Sequence, residues 1–131
     1  MYLRFVQKAK IPGMVARQGF LSAAYALQRQ DSLEEASRIE LANSIDWFEN
    51  NLPVPTRFNR SKSKGAWRRK TKGLSWFKPT AMEHRDKGVA LTELLQQHNI
   101  PIEILRADRV GYIVFEDQHQ VIAEPFADTP I

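Results

Sequence analysis

The sequence contains no cysteine, and that absence removes several kinds of chemistry at once. Disulfide bonds, zinc sites built on thiolates and cysteine nucleophiles are all excluded. Long apolar runs are missing too. No stretch approaches the roughly 18 consecutive apolar residues of a membrane span, and the opening MYLRFVQKAK lacks the apolar core of a signal peptide. We therefore expect a cytoplasmic protein with no membrane partner.

Several short motifs of common enzymes are also missing. None of the six glycines lies in a GxGxxG or GxxxxGK[ST] arrangement, so a nucleotide-hydrolysing enzyme is not expected. The three histidines are never four residues apart, which excludes the helical two-histidine metal site. No serine lies in a GxSxG nucleophile turn. The sequence accordingly indicates neither a metal ion nor a cofactor.

Length and composition favour one globular domain. A chain of 131 residues can build one core but not two ordinary ones. Apolar residues make up 43% of the chain and charged residues 26%, as in an ordinary folded protein. We expect a single domain over residues 1–131, with a basic loop at about residues 56–73.

Apolar periodicity predicts three helices, over about residues 15–30, 33–52 and 80–98. Two of these helices begin with capping-box spacing, between Ser32 and Glu35 and between Thr80 and Glu83. The side chains expected to face the core are Phe20, Ala23, Ala24 and Leu27 in the first helix, Leu41, Ile45, Phe48 and Leu52 in the second, and Ala81, Gly88, Leu91 and Leu95 in the third.

Alternating and apolar stretches predict five strands, at YLRFVQK, GLSWFK, IPIEILRA, YIVFED and HQVIAEPF. In the first strand, Leu3 and Phe5 are expected on one face, with Arg4 and Val6 on the other. The last three strands are expected to form a meander. The predicted class is α+β, with the order β-α-α-β-α-β-β-β. It consists of one mainly antiparallel sheet of about five short strands with three helices packed on one face.

Two pairs of neighbouring aromatic residues predict an exposed ring. Trp76 and Phe77 point to opposite faces of a strand, so a sheet covered on only one face exposes one of them. Trp47 precedes Phe48 on a helix and is expected to lie partly outward. Exposed aromatic rings are typical of contact surfaces. This pattern favours an interaction protein, including a homodimer.

Positive charge is concentrated in one segment that contains no acidic residue. The whole chain has 19 basic and 15 acidic residues, a net charge of +4, and without this segment it has 11 basic and 15 acidic residues, a net charge of −4. The eight cations are Arg57, Arg60, Lys62, Lys64, Arg68, Arg69, Lys70 and Lys72. A mildly acidic body therefore carries a strongly basic loop.

This composition favours a polyanion as partner. Lysine and arginine neutralise phosphates, and the ring of Trp67 offers a face on which a base can stack. The leading hypothesis is a small nucleic-acid-binding or polyanion-binding accessory protein that uses these eight cations and Trp67. One alternative is a protein-interaction module, an inhibitor or adaptor, that docks on an acidic protein surface. A solvated loop that aids solubility remains a third interpretation.

The last predicted hairpin supplies the candidates for catalysis. Glu116, Asp117, His119 and Glu124 lie close together in the sequence, and pairing of the strands can bring some of them to His84. Carboxylates and imidazoles hold divalent metals or act as general bases. A metal-dependent hydrolase or nuclease is therefore an alternative hypothesis, with the basic loop holding its substrate. The same residues are typical of a solvent-facing hairpin turn, and the sequence favours that interpretation.

Three stretches, NLPVPTRF, SWFKPTAMEH and GYIVFEDQHQVIAEPFADT, resemble the pattern of a family of small uncharacterised bacterial proteins. The resemblance covers most of the chain. It implies a bacterial and cytoplasmic origin. It implies no catalytic role for any residue.

Overall fold

The computed structural model describes residues 1–59, the backbone of residues 67–68, and residues 70–131. The elements are β1 (Tyr2–Lys10), β2 (Arg17–Gly19), α1 (Phe20–Gln28), α2 (Glu35–Asn51), β3 (Phe58–Asn59), β4 (Trp67–Arg68), β5 (Leu74–Phe77), α3 (Met82–Gln97), β6 (Glu103–Ala107), β7 (Tyr112–Glu116) and β8 (Gln120–Glu124). The α+β class and the predicted succession of elements are confirmed. The short strands β2, β3 and β4 were not predicted.

Strand β1 is the centre of a six-stranded antiparallel sheet. It pairs with β6 along five residues, from Tyr2 opposite Ala107 to Val6 opposite Glu103. Two strands share the other edge of β1: β2 pairs near Val6, and β5 pairs at Leu3. β8 lies beyond β5, and β7 lies beyond β8.

The predicted meander of the last three strands is correct only for β7 and β8. β6 lies beside β1 rather than beside β7. The reason is the crossover made by α3, which carries the chain from β5 past β1. Since β5 and β6 are both antiparallel to β1, they run parallel to each other with β1 between them.

The three helices cover one face of the sheet and bury the predicted stripes. This apolar cluster contains Leu3, Phe5, Phe20, Ala23, Ala24, Leu27, Leu33, Leu41, Ile45, Phe48, Phe77, Leu91, Leu94, Leu95 and Ile102. Leu52 is half-buried at its margin. Gly88 allows α3 to approach the sheet closely, because a Cβ atom there would lie 2.8 Å from two atoms of the Phe5 ring.

The opposite face of the sheet is also covered, which contradicts the prediction of an exposed ring at Trp76 or Phe77. A second cluster buries Val6, Ala16, Leu74, Trp76, Leu105, Ala107, Val110, Val121 and Ala123. Ile11, Met14 and Ile131 pack against it from outside the sheet. Trp76 is 1% exposed and Phe77 is 6% exposed. These two rings therefore give no support to a homodimer, whereas Trp47 is half-buried as predicted.

The helix starts differ from the predicted ones. α1 begins at Phe20 rather than near residue 15, because residues 17–19 pair with β1 as β2. Both capping-box predictions are wrong. The N-cap residues are Glu34 for α2 and Ala81 for α3, and neither side chain makes a capping hydrogen bond. In both helices the N-cap follows the predicted capping residue: Glu34 follows Ser32 in α2, and Ala81 follows Thr80 in α3.

The predicted end of α3 near His98 is confirmed, and a local hydrogen-bond pattern explains it. Asn99 has a φ of 62°, in the left-handed region. The N–H of Ile100 donates to the Leu95 carbonyl at 3.0 Å, and the N–H of Asn99 donates to the Gln96 carbonyl at 3.1 Å. This Schellman motif satisfies carbonyls that the helix end leaves free. Within the described ranges, no helix has the length and apolar content needed to cross a membrane.

Candidate functional site

The basic segment, which runs from Arg57 to Lys72, contains the two strands of a small antiparallel hairpin. Phe58 in β3 lies opposite Arg68 in β4, and Asn59 lies opposite Trp67. Phe58 is 9% exposed and belongs to a third apolar cluster with Val114 and Ile122 of the neighbouring strands β7 and β8. One buried aromatic side chain therefore anchors β3, and with it the hairpin, to the main sheet.

The chain that follows β4 is also attached to the sheet. The Thr71 hydroxyl donates to Glu124 Oε2 at 2.9 Å and accepts the N–H of Gly73 at 3.0 Å. Gly73 itself lies close to β8, because a Cβ atom there would be 2.7 Å from the Ile122 side chain. The basic segment therefore leaves and rejoins the sheet at fixed positions.

Three of the predicted nucleic-acid-binding residues have described side chains. Arg57, Lys70 and Lys72 are all exposed. The predictions at Arg60, Lys62, Lys64 and Arg69 lie outside the described residues, as do the side chains of Trp67 and Arg68. The register of β3 with β4 brings Arg57 and Lys70 to the same end of the hairpin, although they are 13 positions apart in the sequence.

The hairpin acids are engaged in local contacts. Asp117 Oδ1 accepts the N–H groups of His119 at 2.8 Å and Gln120 at 2.9 Å, and Oδ2 accepts from Gln120 Nε2 at 3.1 Å. Burial raises the pKa of Asp117, but these hydrogen bonds outweigh it and hold the pKa below its usual value. Glu116 forms a salt bridge with Lys78 at 2.5 Å. Asp117 therefore stabilises the turn between β7 and β8.

The structure does bring His84 and His119 together. Their rings stack with centroids 4.3 Å apart, and His84 is 4% exposed. His84 Nε2 lies 2.7 Å from the Asn51 carbonyl, and the Trp47 ring packs against His84 at 4.8 Å. A carbonyl can only accept, so Nε2 of His84 is the donor. His84 thus joins the last residue of α2 and the first turn of α3 to the turn between β7 and β8.

The predicted cluster of acids and histidines is not assembled. Glu116 binds Lys78, Asp117 binds the turn, and Glu124 binds Thr71. Among the residues that the structure describes, no group of three or more metal-binding side chains is close enough to hold a metal ion. The paired imidazoles are held by Asn51 and by stacking.

Two buried polar residues were missed by the sequence analysis. Gln120 is 2% exposed and donates to the Pro53 carbonyl at 2.9 Å, while its Oε1 accepts from the Ser75 hydroxyl at 2.9 Å. Arg4 is 5% exposed and donates to the Arg17 carbonyl. The only sequence signal for Arg4 was its position inside an apolar strand. Alternation alone assigns that position to an outer face of the sheet.

Comparison of the chain with protein-family models, with curated proteins and with solved structures finds no match.

Proposed function

We propose that this protein binds nucleic acid through its basic segment, with contacts to phosphates that do not depend on base sequence. The observation that carries the proposal is the absence of acidic residues from residue 50 to residue 82, a stretch that holds all eight cations of the segment. A charge distribution of this kind attracts the most densely charged polyanions.

The hairpin supports this proposal because it holds the two flanks of residues 60–66 beside each other on the sheet. The pairing of β3 with β4 and the burial of Phe58 fix the chain on both sides of residues 60–66. The cations that are separated in sequence, such as Arg57 and Lys70, start from one end of the same hairpin.

The charge of the remaining protein supports a local contact rather than a general affinity. Outside the eight cations the chain has a net charge of −4, so the rest of the surface repels a polyanion on average. Binding is therefore expected on one side of the molecule. If six of the eight cations engage duplex DNA, the logarithm of the binding constant falls with the logarithm of salt concentration with a slope of about −5.

The test is a salt titration of binding to a duplex of random sequence, measured by fluorescence anisotropy. The variant replaces Arg68, Arg69 and Lys70 with alanine, and the expected slope becomes about three units flatter if all three bind phosphate. The control replaces Lys8, Lys10 and Arg29, three exposed cations outside the segment, so that it loses the same charge. The control is expected to keep nearly the full slope.

Two results contradict the proposal. If the segment variant binds DNA and RNA as tightly as the parent at low salt, the segment is not the contact surface. If the segment variant and its control weaken binding equally, binding depends on the net charge of the protein and not on this segment. The first result favours the acidic protein partner, which a pull-down with parent and segment variant then tests.

A further inference from the structure

A partly open hollow of about 380 Å³ lies between α1, the end of α2 and the strands β5 and β8. Its walls are mostly apolar and include Leu21, Phe48, Leu52, Val54 and Ile122. Val54 is 88% exposed, whereas Phe48 is 2% exposed. The walls therefore extend from solvent down to the apolar core, as in a small-molecule site.

The buried polar groups of this hollow are already paired with protein atoms. Gln120 lines the hollow, and its amide nitrogen donates to the Pro53 carbonyl at 2.9 Å and to Asp117 Oδ2 at 3.1 Å. The Ser75 hydroxyl, which also lines the hollow, donates to Gln120 Oε1 at 2.9 Å. An amide nitrogen has two hydrogens and a hydroxyl has one. Gln120 and Ser75 therefore have no donor left for a ligand.

Tyr25 and Glu49 form the charged end of the hollow. Both are exposed, and the Tyr25 hydroxyl donates to Glu49 Oε1 at 2.6 Å. This hydrogen bond, followed by partial burial and by the charges of Glu49 and Asp46, raises the pKa of Tyr25. No Lys or Arg among the described residues lines the hollow, and Glu49 Oε2 has no partner among them. The hollow thus offers a carboxylate acceptor, while its own side-chain donors are all used.

We propose that this hollow binds a small organic cation with an apolar body, and that Glu49 binds its ammonium group. A primary ammonium brings three donors to a site whose side chains can only accept. The apolar walls then cover the carbon chain. A carboxylate or a phosphate is excluded, because it would find no side-chain donor and would be repelled by Glu49. This site is separate from the proposed nucleic-acid contact and does not depend on it.

The size of the hollow guides the choice of probe. At ordinary packing density, 380 Å³ holds roughly fifteen non-hydrogen atoms, so the octylammonium ion fits within it. 1-Octanol has the same chain without a charge, and octanoate carries the opposite charge. Together the three ligands separate the contribution of the charge from that of the apolar chain.

The test measures the affinity of each ligand by calorimetry, and methyl NMR signals of Leu21, Leu52 and Ile122 report the location. We expect octylammonium to bind about threefold to tenfold more tightly than 1-octanol, because an ion pair with an exposed carboxylate contributes less than a buried one. Octanoate should bind most weakly. Equal affinity for octylammonium and 1-octanol, or no binding of either at millimolar concentration, would overturn the proposal. Signal changes that spare all three residues would overturn it too.

Variants identify the role of Glu49. Glu49→Gln keeps an oxygen that accepts from Tyr25 but removes the charge, so its octylammonium affinity should fall to near that of 1-octanol. Unchanged 1-octanol binding shows that the hollow is intact. Glu40→Gln removes the same charge from an exposed position of α2 that does not line the hollow, and it should keep the full preference. A preference that survives in Glu49→Gln would place the ammonium elsewhere, and equal losses in both variants would make it an effect of net charge. Either result contradicts the proposal.

Discussion

The imidazole rings of His84 and His119 stack with their planes 26° apart, and this contact joins the start of α3 to the turn between β7 and β8. His84 adds a hydrogen bond to the Asn51 carbonyl at the last residue of α2. That carbonyl is one of those that a helix end leaves without an internal partner. The pair therefore joins three elements that are distant in sequence.

Replacement of His84 separates the two contributions of its ring. His84→Phe keeps an aromatic ring against Trp47 and His119 but removes the hydrogen bond to Asn51, so we expect a loss of about 1 kcal/mol in the free energy of unfolding. His84→Ala also leaves a cavity and should cost about 2–4 kcal/mol. Urea denaturation measures both values. A His84→Phe variant as stable as the parent would show that the hydrogen bond contributes nothing, and equal stability of the two variants would show that the packing of the ring contributes nothing.

Asp117 should make the stability of the protein sensitive to acid. Its pKa is held below the usual value of 3.8 in the folded state. Between its folded pKa and 3.8, the unfolded chain binds more protons, so the stability from Asp117 is present above 3.8 and is lost as the pH falls through the folded pKa. Asp117→Asn should cost about 1 kcal/mol at neutral pH, because its amide group faces the Gln120 amide.

The measurement is denaturation of parent and Asp117→Asn from neutral pH down to about pH 3. The difference in stability between the two proteins should shrink as the pH falls. Glu116→Gln is the matched control, since Glu116 is exposed and pairs only with Lys78 among the described contacts. A difference that stays constant with pH would contradict the role given to Asp117.

Gly88, on the inner face of α3, should not tolerate even a small side chain. A Cβ atom there lies 2.8 Å from the Phe5 ring, which is 2% exposed and stacks on Phe20. We expect Gly88→Ala to destabilise the fold by about 1–3 kcal/mol, although alanine favours helices. Val89→Ala, at the next and exposed position, should change stability by less than about 0.5 kcal/mol. Thermal denaturation tests both, and a stabilised Gly88→Ala would show that α3 can move away from β1.

Arg4 should lower the stability of the folded protein. Its buried charge has no counter-ion among the described residues, and apolar replacements of buried charges are often stabilising. Arg4→Met is expected to raise the free energy of unfolding by about 1 kcal/mol or more. Urea denaturation of parent and variant measures this effect. A loss above about 1 kcal/mol would mean that the bond to the Arg17 carbonyl outweighs the cost of burial.

Trp67 provides a test that distinguishes forms of nucleic acid. If its ring stacks on a base, Trp67→Ala should weaken binding to a single-stranded oligonucleotide by about 1–3 kcal/mol. Binding to a duplex should change much less, because the bases of a duplex are already stacked. Anisotropy titrations at one salt concentration compare the two. Equal losses for both forms would assign Trp67 a structural role in the hairpin instead.

The sequence predicted those parts of the fold that depend on local periodicity. The stripes containing Leu27 in α1 and Leu91 in α3 follow from the helical repeat, and both are buried as predicted. Strand β2 was missed because three residues are too short for any alternation. The position of β6 beside β1 was missed because strand pairing is decided by contacts across the whole chain.

The candidate sites were predicted less completely, for a related reason. A concentration of charge is a property of composition, so the basic segment is visible in the sequence, whereas the hairpin that anchors it depends on the burial of Phe58. The contact of His119 with His84 was anticipated from strand pairing. The burial of Arg4 could not be anticipated, because alternation in β1 does not reveal that both faces of the sheet are covered.

The pairing of β1 with β6 joins segments that are about one hundred residues apart in the sequence. During synthesis, the first strand emerges well before the partner with which it forms its longest ladder. The central strand of the sheet therefore waits, with apolar side chains on both faces, until residues 103–107 have been made. Such long-range pairing slows folding and prolongs the exposure of a strand that can associate with other chains. The architecture that gives the finished protein two covered faces thus leaves its newly made chain open to association for longer.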